Sequence, residues 1–219
     1  PEANIRQIIF NLILSIQFMH KRKILHRDIC LENLVVSQPE MMLSKTFKQA
    51  RKTNKKSADD WADSVTLINF GSAYALEKMQ LTVTDRLGSE IPTCLEYAAP
   101  EVIKHNEYSP KTDIWSIGIV AFTLLSGSFP FFSDNKYELM DQIETCLPHY
   151  NHEDWTDVSA MALLFVKRIL KFDPEKRLDI KGMLADPWIV GLTMNYVPPE
   201  ALRKPVLLPP AARHSFKLR

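Results

Sequence analysis

The chain has 219 residues, 46% of them hydrophobic, and a formal net charge of +1, which suffices for one sizeable core and gives nucleic acid no excess of positive charge to bind. Its longest nearly continuous apolar run, Ile114 to Leu125, is too short to cross a bilayer and suits a buried central helix, so neither a membrane nor a nucleic-acid partner is expected. Three irregularly spaced cysteines read as free thiols in a reducing, cytoplasmic setting, and the start Pro1-Glu2-Ala3 reads as part of something longer.

In chain order, Ile5, Ile8, Ile9, Leu12, Ile16 and Met19 recur at three- and four-residue steps, which predicts an amphipathic helix from Ile5 to His20. The run His26-Arg27-Asp28-Ile29-Cys30-Leu31-Glu32-Asn33 follows. Leu34-Val35-Val36 and Val65-Thr66-Leu67-Ile68 are short β-branched runs that predict the two strands of a hairpin. Between them, residues 38–64 carry Lys45, Lys48, Arg51, Lys52, Lys55 and Lys56, then Asp59 and Asp60, where a tight turn would suffice. That segment reads as a solvated insertion, or as a partly helical docking segment with Leu43, Phe47 and Ala50 as its apolar edge for an acidic or calmodulin-like partner.

Asn69-Phe70-Gly71 comes next, followed by Ala99-Pro100-Glu101, Asp113-Ile114-Trp115-Ser116-Ile117-Gly118 and Asp173-Pro174-Glu175-Lys176-Arg177. Beyond Val190, Pro198, Pro199, Pro205, Pro209 and Pro210 interrupt any periodic pattern and predict an extended tail or linker over 191–219. Arg203, Lys204, Arg213, Lys217 and Arg219 would also suit an inhibitory tail.

The order and spacing of these motifs resemble the C-terminal lobe of the eukaryotic protein kinase family, from about Asn4 to Val190. Leu124-Leu125-Ser126-Gly127-Ser128-Phe129-Pro130-Phe131 and Leu184-Ala185-Asp186-Pro187-Trp188-Ile189 resemble the calcium/calmodulin-dependent group, nearest its death-associated, myosin light-chain and giant muscle kinase branch. The resemblance implies a mainly α lobe over 1–190, a helical bundle with a small β-hairpin at the catalytic loop. It implies that Asp28 is the base for a substrate hydroxyl, that Asn33 is a metal ligand, and that Asn33, Asn69 and Val35 face the nucleotide. It further implies structural roles: His26 and Phe70 in the hydrophobic spine, Glu101 paired with Arg177, Asp113 holding the catalytic loop, and Trp115, Gly118 and Phe122 on the central helix. Arg27 would meet an activation-loop phosphate, with Thr82, Thr84, Ser89 and Thr93 as candidate acceptors, although each reads first as an ordinary loop hydroxyl.

The chain departs from the family pattern at three places, the first two of which concern charge and the third the substrate-binding loop. Asn69 stands where the family presents magnesium with an Asp, and an amide oxygen brings no formal charge to a hard cation. Cys30 stands where a Lys normally faces the transferring phosphate, so its catalytic role would be vestigial. Thr93-Cys94 stands where Gly-Thr is expected, unless Gly88-Ser89 fills that place after an insertion. The sequence given also lacks the Gly-rich turn, strand Lys and helix Glu of the N-terminal lobe. These departures imply a pseudokinase used as a binding or scaffolding module in a cytoplasmic or cytoskeletal protein, with no metal and no cofactor expected for this chain. The alternative is an ATP-dependent Ser/Thr kinase whose N-terminal lobe lies elsewhere, with Mg-ATP as cofactor. By the same resemblance Cys30 and Cys94 lie beside Asp28, as a redox-sensitive pair or as two small buried hydrophobes.

Overall fold

A computed structural model of the protein describes residues 2–36, 65–76, 94–146, 148–150 and 153–193. The insertion 38–64, the candidate phosphate acceptors and the chain beyond Thr193 lie outside the described residues.

The predicted first helix, α1, spans Glu2–Lys21 and buries Ile8, Ile9, Leu12, Ile13, Ile16 and Met19, the face the apolar spacing requires. A second helix, α2 (Pro100–His105), leads to α3 (Pro110–Ser126). Ser109 caps α3, its hydroxyl accepting from the Lys111 N–H, and Gly127 ends it at φ 78°, a left-handed angle that glycine adopts without penalty. Apolar on nearly every side, α3 is the buried axis of the lobe and packs on α1 and on α5 (Ala160–Ile169). The approach to α5 is close because Gly118 has no side chain: a Cβ there would sit 2.6 Å from Ile169 Cγ2 and 2.8 Å from Leu170 Cδ2.

Around this axis stand α4 (Lys136–Thr145), α6 (Ile180–Leu184) and α7 (Pro187–Thr193). Aromatic pairs fill the gaps: Trp115 stacks on Phe131, Phe122 meets Trp155 edge-on, and Phe165 packs on Trp188. Of the predicted extended tail, only residues 191–193 are described. They continue α7, since the nearest proline beyond is Pro198 and nothing before it removes a helix donor.

Two small antiparallel pairs flank the catalytic loop. β2 (Leu34–Val36) pairs with β3 (Val65–Leu67) in the register Leu34 to Leu67 and Val36 to Val65, which is the predicted hairpin. β1 (Ile24–Leu25) pairs with β4 (Tyr74–Ala75), a pairing that two-residue strands do not announce in sequence. Together they fix the loop over residues 26–33 against the one over residues 68–73.

Candidate functional site

The loop from His26 to Asn33 is held by Asp113, on the first turn of α3. Asp113 Oδ2 accepts from the His26 N–H at 3.0 Å and Oδ1 from the Arg27 N–H at 2.9 Å, while His20 Nε2 lies 2.7 Å from Oδ2. Arg27 takes φ 65°, a left-handed angle costing on the order of 1–3 kcal/mol for a bulky residue, and the Asp113 carboxylate holds it there. Its guanidinium lies over the rings of Tyr108 and Tyr74. Its Nε and Nη1 are buried without a hydrogen-bond partner among the described residues.

His26 is fully buried, and burial pulls its imidazole below the ordinary histidine range despite the Asp113 and Asp28 charges nearby. Its Nδ1 accepts from the Asp28 N–H at 3.3 Å, so the proton sits on Nε2, which faces the Ile68 carbonyl at 3.2 Å. The neutral ring thus joins the two loops. Phe70 meets that ring edge-on at 5.2 Å and leaves 55% of its own surface exposed.

Asp28, Asn33 and Asn69 converge. Asn33, buried on the turn after the loop, donates through Nδ2 to the Asp28 carbonyl at 2.7 Å and to Asp28 Oδ2 at 2.9 Å. Asn69, at φ 63°, donates through its own Nδ2 to Asp28 Oδ2 at 3.0 Å and to Asn33 Oδ1 at 3.2 Å. The opposite amide orientation would set Oδ1 against a carboxylate oxygen, so repulsion fixes the N–H edge toward Asp28. An aspartate here could reach Asp28 only with a cation between them. The Asn69 amide takes the cation's place. As a seat for magnesium the donor set among the described residues fits poorly: of these three side chains only Asp28 is a carboxylate, the Asn33 oxygen is already engaged, and Asn69 presents hydrogen.

Cys30 and Cys94 lie beside Asp28, the two sulfurs and a carboxylate oxygen all within 4.8 Å of one another, and neither cysteine is in a disulfide. Burial, then the neighbouring Cys94 thiol, pushes the Cys30 thiol up to about 12.

Val35 sits on β2 opposite Thr66 and is 41% exposed. Glu101 and Arg177 form a separate cluster below the site. The Arg177 guanidinium meets both Glu101 oxygens at 2.7 Å, donates to the carbonyls of Lys171, Lys111 and Phe172, and lies over Trp115. Two residues escape sequence reasoning. His20 reaches Asp113 across 93 positions with no local signal. Tyr97, whose hydroxyl accepts from the Leu31 N–H at 3.3 Å, could have been found only from its place just before Ala99-Pro100-Glu101.

A helical lobe that pins an Asp-bearing loop with a carboxylate from its buried axis, beside an Asn-Phe-Gly turn, belongs to the phosphotransfer class of architectures. The chain belongs to the protein kinase family: the family described as "Protein kinase domain" matches residues 1–189. Its relatives are serine/threonine kinases. "Serine/threonine-protein kinase 33" of Bos taurus is 29% identical over 199 residues, covering 90% of this chain and 37% of that protein. "Calcium/calmodulin-dependent protein kinase cmkA" of Emericella nidulans is 30% identical over 190 residues, covering 87% of this chain and 40% of that protein. Among solved structures, "Titin kinase and its flanking domains" matches with a TM-score of 0.67 and 26% identity, over 90% of this chain and 31% of that one. The chain thus spans well under half the length of these relatives. No helix among the described residues is long and apolar enough to cross a membrane.

Proposed function

We propose that this chain is a catalytically deficient protein-kinase domain that serves as a binding or scaffolding module, in a cytoplasmic setting and in association with the cytoskeleton. The observation that carries the reading is the Asn69 amide, which donates to Asp28 Oδ2 where the family chemistry calls for an anionic metal ligand. Removing a unit charge about 4 Å from a divalent ion forfeits on the order of several kcal/mol at an effective dielectric near 20. At about 1.4 kcal/mol per tenfold, that is orders of magnitude in rate. The scaffold contacts, by contrast, are complete: Asp113 holds the loop and Arg177 holds Glu101. Protein partners would engage the basic segment 38–64 and the tail 191–219, a calmodulin-like protein being the chemistry the former fits.

One observation favours a second reading, an ATP-dependent Ser/Thr kinase completed by an N-terminal lobe in a longer chain. Asp28 keeps its place as a hydroxyl base, with Oδ1 bonded to no group among the described residues. A phosphotransfer assay of the longer parent protein, unmodified and as Asn69→Asp with Cys30→Lys, separates the two. Activity that emerges only in the repaired protein supports deficiency, and turnover in the unmodified protein refutes it. Mg-ATP is expected to leave the melting temperature of the present chain unchanged, and a saturable rise would contradict that.

A further inference from the structure

The side chains of Asp28, Cys30 and Cys94 each offer one ligand atom, and the three atoms lie within 4.8 Å of one another. Tetrahedral zinc holds thiolate sulfur at about 2.3 Å and carboxylate oxygen at about 2.0–2.2 Å, which sets neighbouring ligand atoms roughly 3.5–3.8 Å apart. Small rotations would close the gap. Asp28 has an oxygen to give, because the two amides both bond Oδ2 and none of the described residues bonds Oδ1. The surroundings are negative: the Glu32 carboxylate acts on both thiols, and the Glu96 carboxylate acts on Cys94.

We propose that Asp28, Cys30 and Cys94 form a binding site for a thiophilic divalent cation, zinc being the ion their chemistry fits. Two sulfurs and one carboxylate are the ligands of a three-residue zinc site, with water in the fourth position. On binding, two S–H bonds break, two metal–sulfur bonds form and two protons leave to solvent, with no change of oxidation state. Burial raises both thiols, so a cation bound there must displace their protons. A cation held there ligates Asp28 and so blocks it as a base, whether or not the chain transfers phosphate.

The test uses the full chain and does not depend on phosphotransfer. Titration with zinc chloride against a chromophoric chelator should show one equivalent bound with two protons released. Cobalt(II) in its place should give a thiolate-to-metal charge-transfer band in the near ultraviolet. The Cys30→Ser/Cys94→Ser double variant should lose that band and bind zinc at least about tenfold more weakly, since loss of even an outer-shell partner costs 10–100-fold. Cys146→Ser should change neither reading. In the unmodified chain, zinc should slow alkylation of Cys94, the half-buried thiol of the pair, while Cys146 reacts as before, a measurement that needs no variant to fold. Absence of the band, its survival in the double variant, or equal alkylation of Cys94 with and without zinc would each overturn the proposal.

Discussion

At residue scale the site is organised by what Asp28 Oδ2 accepts. Two amide N–H groups from residues 33 and 69 converge on one carboxylate oxygen, which satisfies a negative charge without a metal. Replacing Asn69 with Asp turns one of those donors into a second carboxylate about 3.0 Å from the first. Asn69→Asp should therefore destabilise the metal-free protein by about 1–2 kcal/mol, and magnesium should restore part of the loss. Equal urea midpoints for the two proteins without metal would show that the amide contributes nothing. The identity of residue 69 was plain in the sequence, standing before Phe70 and Gly71. Which edge of its amide faces Asp28 was not, because that depends on the approach of a loop 41 positions away. His20 was invisible for the same reason, since its partner Asp113 is set by the packing of α1 on α3.

Elements were legible in proportion to their periodicity. The first helix could be read from its apolar spacing to within a few residues at each end, and α3 from its nearly continuous apolar run. The pairing of β1 with β4 could not, because two residues carry no alternation to read. The anchorage of α1 was equally hidden. Glu2, in its first turn, accepts from the Ser159 N–H, the Ser159 hydroxyl and the Trp188 indole N–H, each at 2.8 Å, and so ties α1 to α5 and α7. Burial alone would raise the Glu2 carboxyl, but these donors and Arg6 outweigh it and hold it below its ordinary 4.5. A depressed folded value contributes stability above pH 4.5 that is lost as pH falls through it. Glu2→Gln should cost about 1–2 kcal/mol at neutral pH, and the difference from the unmodified protein should shrink in acid below the ordinary carboxylate value. A pH-independent difference in urea titrations would rule this out. Between α3 and α5, Gly118→Ala should overpack the crossing by about 1–3 kcal/mol, offset in part by the better helix propensity of alanine. A higher denaturation midpoint would mean that α5 shifts freely.

For the whole molecule, the family was legible because its motifs recur in a fixed order, while the contacts joining the ends of that order were not. Glu101 and Arg177 lie 76 positions apart, and their pairing was implied by resemblance alone. The structure adds the reason the pair holds the lobe together. Arg177 spends its donors on both Glu101 oxygens and on three backbone carbonyls around α3 and the turn at Pro174, with its plane against Trp115. Its removal leaves a carboxylate and three carbonyls to find other partners in a buried space. Arg177→Ala should therefore lower stability by about 3–5 kcal/mol, whereas Glu101→Gln, which keeps an acceptor facing the guanidinium, should cost less. The double variant Arg177→Met with Glu101→Leu should recover part of the loss, because breaking a buried pair costs more than exchanging both members for apolar groups. Urea unfolding of the four proteins measures this directly. If Arg177→Ala costs under about 1 kcal/mol, the pair is incidental to the fold and the lobe is held by its apolar axis alone.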